Sequence, residues 1–297
     1  MQRKIGISTH AIQLRYGDMR TLEICADAGF DAVDFNLERY GVGSDEVYKR
    51  PFDDIAEHFS KIGERARELG LIISQTHGRC ATYRNDDKYC EFVRWVSERD
   101  LLATSALGAP ACVIHSISTN RYHDATAEFM RARNREMYAD LVPFAEKYKT
   151  KIALETFGDA TVNGQRALDF FGDSRELYAT YKSLDTEYKT LCLDTGHTNK
   201  ACNVCPELPH VTETIRLFGK DLTLLHLNDN NGFTDQHLPP KVAGKAGGLN
   251  WDEIFAALDE TGYSGVYNFE LSHGYYGELL EDYIHFLAKY LRAVVGN

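Results

Sequence analysis

At 297 residues, 43% hydrophobic and 26% charged, the chain has a globular composition, which excludes a disordered or fibrous protein. Its 44 acidic and 33 basic residues leave a formal charge of −11, a balance that repels nucleic acid and anionic membranes unless a local basic patch overrides it. No apolar run reaches the roughly 18 residues that span a bilayer.

The opening Met1-Gln2-Arg3-Lys4-Ile5-Gly6-Ile7 carries only a strand-length apolar piece and does not read as a signal peptide. Seven cysteines, an odd number scattered along the chain, suit reduced thiols better than a disulfide framework. The expected setting is the cytoplasm.

In chain order, strands are predicted at 4–8, 32–37, 71–77, 111–116, 151–157, 191–197, 222–229 and 265–272. Most are nearly continuous apolar runs, as parallel strands covered on both faces by helices should be. Helical spacing fills the intervals: Ile55, Phe59, Ile62, Ala66 and Leu69 repeat at three and four, a long pattern covers 127–148, and an amphipathic helix closes the chain at 279–294. Glycine breaks at Leu69-Gly70, Leu107-Gly108 and Thr261-Gly262 stop helices just before the next strand. Eight strands each followed by a helix predict a single (β/α)₈ barrel over residues 1–297. A doubly wound open sheet is the competing arrangement, but no Gly-x-Gly-x-x-Gly follows the first strand.

Six of these strands carry a titratable group at or near the C-terminal end: His77, His115, Glu155, Asp194, His226 and Glu270. In a barrel they form one ring at the face where barrel enzymes keep their sites. Unpaired, such groups are costly to bury at the ends of apolar strands, and a bound cation removes that cost. Asp194-Thr195-Gly196-His197 and Asp235-Gln236-His237 add two local carboxylate–imidazole pairs. Mixed imidazole and carboxylate donors suit Zn²⁺, Mn²⁺, Co²⁺, Fe²⁺ or Mg²⁺, one ion or more, and the absence of thiolates among them argues against a structural zinc site.

These segments have a family resemblance. Ile73-Ser74-Gln75-Thr76-His77, Val113-Ile114-His115, Ile152-Ala153-Leu154-Glu155, Leu193-Asp194-Thr195-Gly196-His197, Leu225-His226-Leu227-Asn228-Asp229, Asp235-Gln236-His237 and Phe269-Glu270-Leu271 resemble the xylose-isomerase-like TIM barrels, in the right order and over nearly the whole chain. In the ketose 3-epimerase branch the resemblance implies one divalent ion held by Glu155, Asp194, His226 and Glu270, with Glu155 and Glu270 as the acid/base pair. In the endonuclease IV branch it implies a multi-zinc phosphodiester hydrolase whose nine ligands would be His77, His115, Glu155, Asp194, His197, His226, Asp235, His237 and Glu270. The complete set does not separate the branches. One departure stands out: where many relatives read Pro-Gly-Glu-Gly after His237 with a Trp a few residues on, this chain has Pro239-Pro240-Lys241-Val242-Ala243-Gly244-Lys245-Ala246-Gly247-Gly248-Leu249-Asn250-Trp251, longer and without the Glu.

The expected activity is a metal-dependent sugar or sugar-phosphate isomerase or epimerase working through an enediolate. The alternatives are the multi-zinc hydrolase and a non-catalytic metal- or sugar-binding relative. His77, His115, His197, Asp235 and His237 read equally as further ligands or as substrate contacts. Arg79 is a candidate for a substrate phosphate or carboxylate, and Phe157 and Trp251 for an apolar wall against a sugar, with core packing as their plainer reading. The Gly-rich 244–248 stretch reads as an anion cradle or a lid, His10 as a solvated loop residue, and Cys202-Asn203-Val204-Cys205 as incidental thiols. The expected partner is a small-molecule sugar, with no nucleic acid and no membrane, and a homo-oligomer is compatible with the family.

Overall fold

A computed structural model describes residues 3–40, 46–122, 125–244 and 247–296. Eight parallel strands run in the order β10-β1-β2-β3-β4-β5-β8-β9: β1 Ile5–Ser8, β2 Ala32–Asn36, β3 Ile72–His77, β4 Ala111–Ile114, β5 Lys151–Glu155, β8 Lys189–Asp194, β9 Leu222–His226 and β10 Tyr267–Phe269. The sheet closes on itself where Leu227 bridges Phe269, Leu227 N–H donating to the Asn268 carbonyl at 2.8 Å and Glu270 N–H to the Leu227 carbonyl at 3.2 Å. The result is the predicted (β/α)₈ barrel.

Helices α2 Asp18–Ala28, α3 Phe52–Glu68, α4 Asp87–Leu107, α5 Ala127–Tyr148, α6 Ser174–Ser183, α8 Val211–Phe218, α9 Trp251–Glu260 and α10 Leu280–Val295 cover the outside. Their apolar stripes and the outward strand residues form one large buried cluster that includes Ile55, Phe59, Ile62, Leu141, Ile152, Leu193 and Leu287. Inside the barrel a smaller cluster, Ala111, Val113, Ala153, Cys192 and Leu224, fills the lower interior. Helix stops follow local chemistry: α4 begins at Asp86, whose side chain accepts from Tyr89 N–H, and ends at Gly108, whose φ of 79° a residue with a Cβ would adopt only under strain.

Three differences from the sequence reading have local causes. Strand β8 stops at Asp194 instead of running to 197, because the Asp194 carboxylate caps α7 (Thr195–Val204) by accepting from His197 N–H at 2.6 Å, which puts His197 in the first turn of a helix. His10 is not in a loop: it opens the short helix α1 His10–Tyr16. A two-stranded hairpin, β6 Asp159–Val162 and β7 Gln165–Leu168, sits after β5 and was not foreseen, since its short polar strands lack an apolar signature. Lys245 and Ala246 of the Gly-rich stretch, and His123, lie outside the described residues. Among the described residues no helix is long and apolar enough to cross a membrane.

Candidate metal centre at the barrel mouth

Alternation along each strand places the ring. Ala153 belongs to the lower interior cluster, and two residues on the same face is Glu155; the same step leads from Val113 to His115, from Cys192 to Asp194 and from Leu224 to His226. One polar layer therefore caps an apolar one on the same strands. Glu155, Asp194 and His226 are buried, and one ligand atom each of Glu155, Asp194, His226 and Glu270 lies within 4.8 Å of the others.

His226 is the hub. Its Nδ1 lies 2.5 Å from Glu155 Oε1 and 3.6 Å from Glu270 Oε2, while Nε2 lies 2.9 Å from Asp34 Oδ2. Asp194 accepts from Asn228 Nδ2 at 2.8 Å and, through its other oxygen, from His197 N–H. Three further imidazoles share one device: Nδ1 meets a backbone carbonyl, Gly78 O for His77 at 2.8 Å, Thr156 O for His197 at 3.1 Å and Glu270 O for His237 at 3.0 Å. A carbonyl only accepts, so Nδ1 carries the proton and Nε2 is turned toward the mouth, the arrangement that metal-binding histidines use. His197 Nε2 and His237 Nε2 then converge on Asp235 Oδ2 at 3.5 and 3.4 Å. His77 Nε2 faces His115 Nε2 at 3.1 Å.

Burial works against charge on all these groups, and on most of them opposite charges overcome it. Against that burial, Glu270, Glu155 and Asp34 hold His226 well above the ordinary imidazole value, and His226 with His115 holds Glu155 well below the carboxylate range. His226, His237 and His77 bring Glu270 down to about 2. Asp235 is lowered by His197 and His237, which rise to about 10 and about 9. Asp194 goes the other way, pushed up to about 6 by its burial. Burial and the neighbouring His115 lower His77. The donor set fits a divalent cation on independent grounds: Glu155 Oε2 is buried, 3.1 Å from His115 Nε2, yet has no aligned hydrogen-bond donor.

The remaining candidates divide. Phe157 stands at the mouth, its ring 5.3 Å from His115 and 5.0 Å from His197. Trp251 does not face it: the indole is buried at the start of α9 against Phe255 and donates to Asp229 Oδ2 at 3.0 Å. Arg79 gives a guanidinium N–H to the Glu38 carbonyl and its backbone N–H to Asp100 Oδ2. Cys202 and Cys205 are free thiols, the first buried.

The sequence reading missed several residues. Asp34, on β2 and fully buried, fixes the back of His226; its signal was a lone carboxylate inside an apolar strand. Gln75 Nε2 lies 2.9 Å from the same imidazole nitrogen. Lys200, one turn beyond His197, pairs with Asp159 at 3.1 Å and Asp235 at 3.4 Å. Cys80, three residues past His77, brings a thiol near two of the imidazoles: one ligand atom each of His77, Cys80 and His115 lies within 4.8 Å of the others.

Comparison with known proteins agrees with this fold. The family description "Xylose isomerase-like TIM barrel" matches residues 22–290. An uncharacterized protein of Methanocaldococcus jannaschii, MJ1311, is 31% identical over 137 residues, 46% of this chain and 42% of that protein. A second, y4fM of Sinorhizobium fredii, is 28% identical over 177 residues, 56% of this chain and 48% of that one. The matched stretch thus spans less than half the length of each of these curated relatives. Among solved structures, a D-psicose 3-epimerase determined in the presence of D-fructose superposes with a TM-score of 0.71 at 16% identity, covering 99% of this chain and 100% of the other. An IolI protein with a bound zinc atom gives 0.73 at 19%, with 98% of each covered, and an L-ribulose 3-epimerase gives 0.70 at 19%, with 100% and 94% covered. At these identities the likeness shows the fold.

Proposed function

The chain belongs to the xylose isomerase-like TIM barrel family, and from that premise we propose that it is a divalent-cation-dependent sugar or sugar-phosphate isomerase or epimerase that moves a proton beside a carbonyl. The observation that carries this reading is the convergence of Glu155, Asp194, His226 and Glu270 within 4.8 Å, with a buried Glu155 oxygen left without a donor. Those four would hold the ion. A bound divalent cation supplies Lewis-acid stabilisation of the negative charge that builds on the substrate oxygens as the proton leaves, worth several kcal/mol.

The chain's own groups do the rest. Glu155 ends β5 and Glu270 directly follows β10, and both are held ionised by their imidazole neighbours, so either can accept a proton from a substrate carbon and return it. Asp34 and Gln75 keep His226 in one orientation, and Asn228 does the same for Asp194. Phe157 supplies an apolar face that shields the reacting centre from water. In Glu155→Gln and Glu270→Gln variants, exchange of solvent deuterium into ketoses or their phosphates with added Mn²⁺ should fall by about 10²–10⁴-fold while the fold is retained. Exchange at the wild-type rate in both would refute the proton-transfer role.

A multi-zinc phosphodiester hydrolase is the second reading, favoured by the grouping of His77, Glu155 and His226 and of His197, Asp235 and His237 into further clusters. Charge weighs against it. Arg166 is bound to Asp159, Lys200 to Asp159 and Asp235, and Lys241 to Asp252, so these three basic groups are already neutralised within the chain. Tight, salt-dependent binding to an abasic duplex would reverse that order.

A further inference from the structure

Helix α10 is apolar on both of its faces. Its inward stripe, Leu280, Ile284, Leu287, Ala288, Leu291 and Val295, is buried. The outward one is nearly as apolar: Leu279, Tyr283, Phe286 and Tyr290 recur at steps of four, three and four, which is helical spacing. Leu279 is 65% exposed and Phe286 57%. The turn Gly274–Leu279 before the helix adds Tyr275, 90% exposed, and Tyr276. Among the described residues eleven large hydrophobic side chains are exposed, and four of them, Tyr275, Tyr276, Leu279 and Phe286, fall between positions 275 and 286. A surface helix normally turns polar residues to water, and one that is apolar all round is stable when both faces are covered.

The rings on this outer face stack into a ladder. Ring centroids lie 3.7 Å apart for Tyr276 and Tyr283, 6.1 Å for Tyr283 and Phe286, and 6.0 Å for Phe286 and Tyr290, with interplanar angles of 21°, 23° and 22°. Tyr290 is fixed in turn by its hydroxyl, which donates to the Pro240 carbonyl at 2.6 Å. Rings already held in place lose little freedom on being covered, and aromatic side chains are enriched at the centres of protein interfaces.

Charge along the helix identifies what covers it. Asp282 and Lys289, both exposed, flank Phe286 on the same side of α10, two turns or about 10 Å apart along the axis. Glu281 and Arg292 are taken up within the chain by Arg20 and Asp31, whereas Asp282 and Lys289 have no ion pair among the described residues. We infer that α10 docks on α10 of a second copy of this chain, antiparallel about a two-fold axis beside Phe286, so that Asp282 of each copy meets Lys289 of the other and the two aromatic ladders cover each other. A two-fold contact is self-complementary. Only the antiparallel arrangement sets opposite charges face to face: a parallel pairing opposes like charges, and a uniformly acidic or basic partner meets one of the two with its own sign. Association needs neither a bound ion nor the proposed reaction.

Light scattering on the peak eluting from a size-exclusion column tests the contact. At micromolar concentration the wild type should show twice the 33.6 kDa of one chain. Phe286→Glu, at an exposed position, should return it to a single chain with an unchanged circular dichroism spectrum, an affinity loss of about 30-fold or more. Asp282→Lys and Lys289→Asp should each weaken association by about tenfold or more when alone, because each sets like charges opposite one another. Mixed one to one, those two variants should recover it, since each supplies the sign that the other lacks. A wild type that stays a single chain up to about 100 µM overturns the inference. A dimer that survives Phe286→Glu, or charge-swapped variants that do not recover on mixing, overturns it as well.

Discussion

Two layers of the barrel interior, one step apart on the same strands, obey opposite rules. The lower layer, Ala111, Val113, Ala153, Cys192 and Leu224, is small, apolar and closely filled. The upper one, His115, Glu155, Asp194 and His226, crowds like and unlike charges into buried space. The first layer stabilises the fold by removing apolar surface from water. The second works against folding, and it persists because each charge has a partner. Stability and chemistry are thus separated by two residues along each strand.

Cutting into the lower layer gives the largest expected effect on folding. Leu224→Ala should cost about 2–5 kcal/mol by denaturant unfolding, since the barrel wall cannot collapse around the void. Ion content per folded chain should not change, and a loss of bound metal at unchanged stability would show that the layers are not separable.

A buried imidazole near the mouth gives the next test. His273 donates Nδ1–H to the Leu271 carbonyl, and burial lowers its pKa to about 4. Its folded-state value lies below the unfolded one of about 6.5, so the unfolded chain binds the extra proton. The stability this group contributes is fully present above pH 6.5 and is lost as pH falls toward 4, by roughly 3 kcal/mol at the lower end. His273→Asn, which keeps a donor for Leu271, should flatten the unfolding free energy over that window relative to wild type. Parallel curves would exclude a buried neutral histidine there.

The smallest effect is expected one step from the ligands. Asp34→Asn leaves the donor set whole but removes the carboxylate behind His226 Nε2. Metal affinity measured by competition with a chelator should weaken about 10–100-fold. An unchanged affinity would mean that Gln75 and packing alone orient the ring.

The contrast between the layers also explains what could be read in advance. The fold was legible because single polar residues interrupt apolar strand ends at regular intervals, and alternation then aims Glu155, Asp194 and His226 inward. Partners supplied by distant segments were not. Asp34 meets His226 across 192 positions of sequence, and nothing local marks the pairing. The place of Trp251 was hidden for a similar reason, since its indole is held by Asp229, three residues beyond β9. The hairpin of β6 and β7 stayed hidden because it has no apolar face of its own to bury.

The buried Asp229 carboxylate receives the backbone N–H groups of Lys241 and Leu249 as well as the Trp251 indole. Both ends of the long rim insert are therefore moored to a single side chain rooted in the barrel wall. A substitution that leaves Asp229 and its two backbone donors in place is therefore expected to leave the titratable groups at the barrel mouth where they are, whatever it does to the rim.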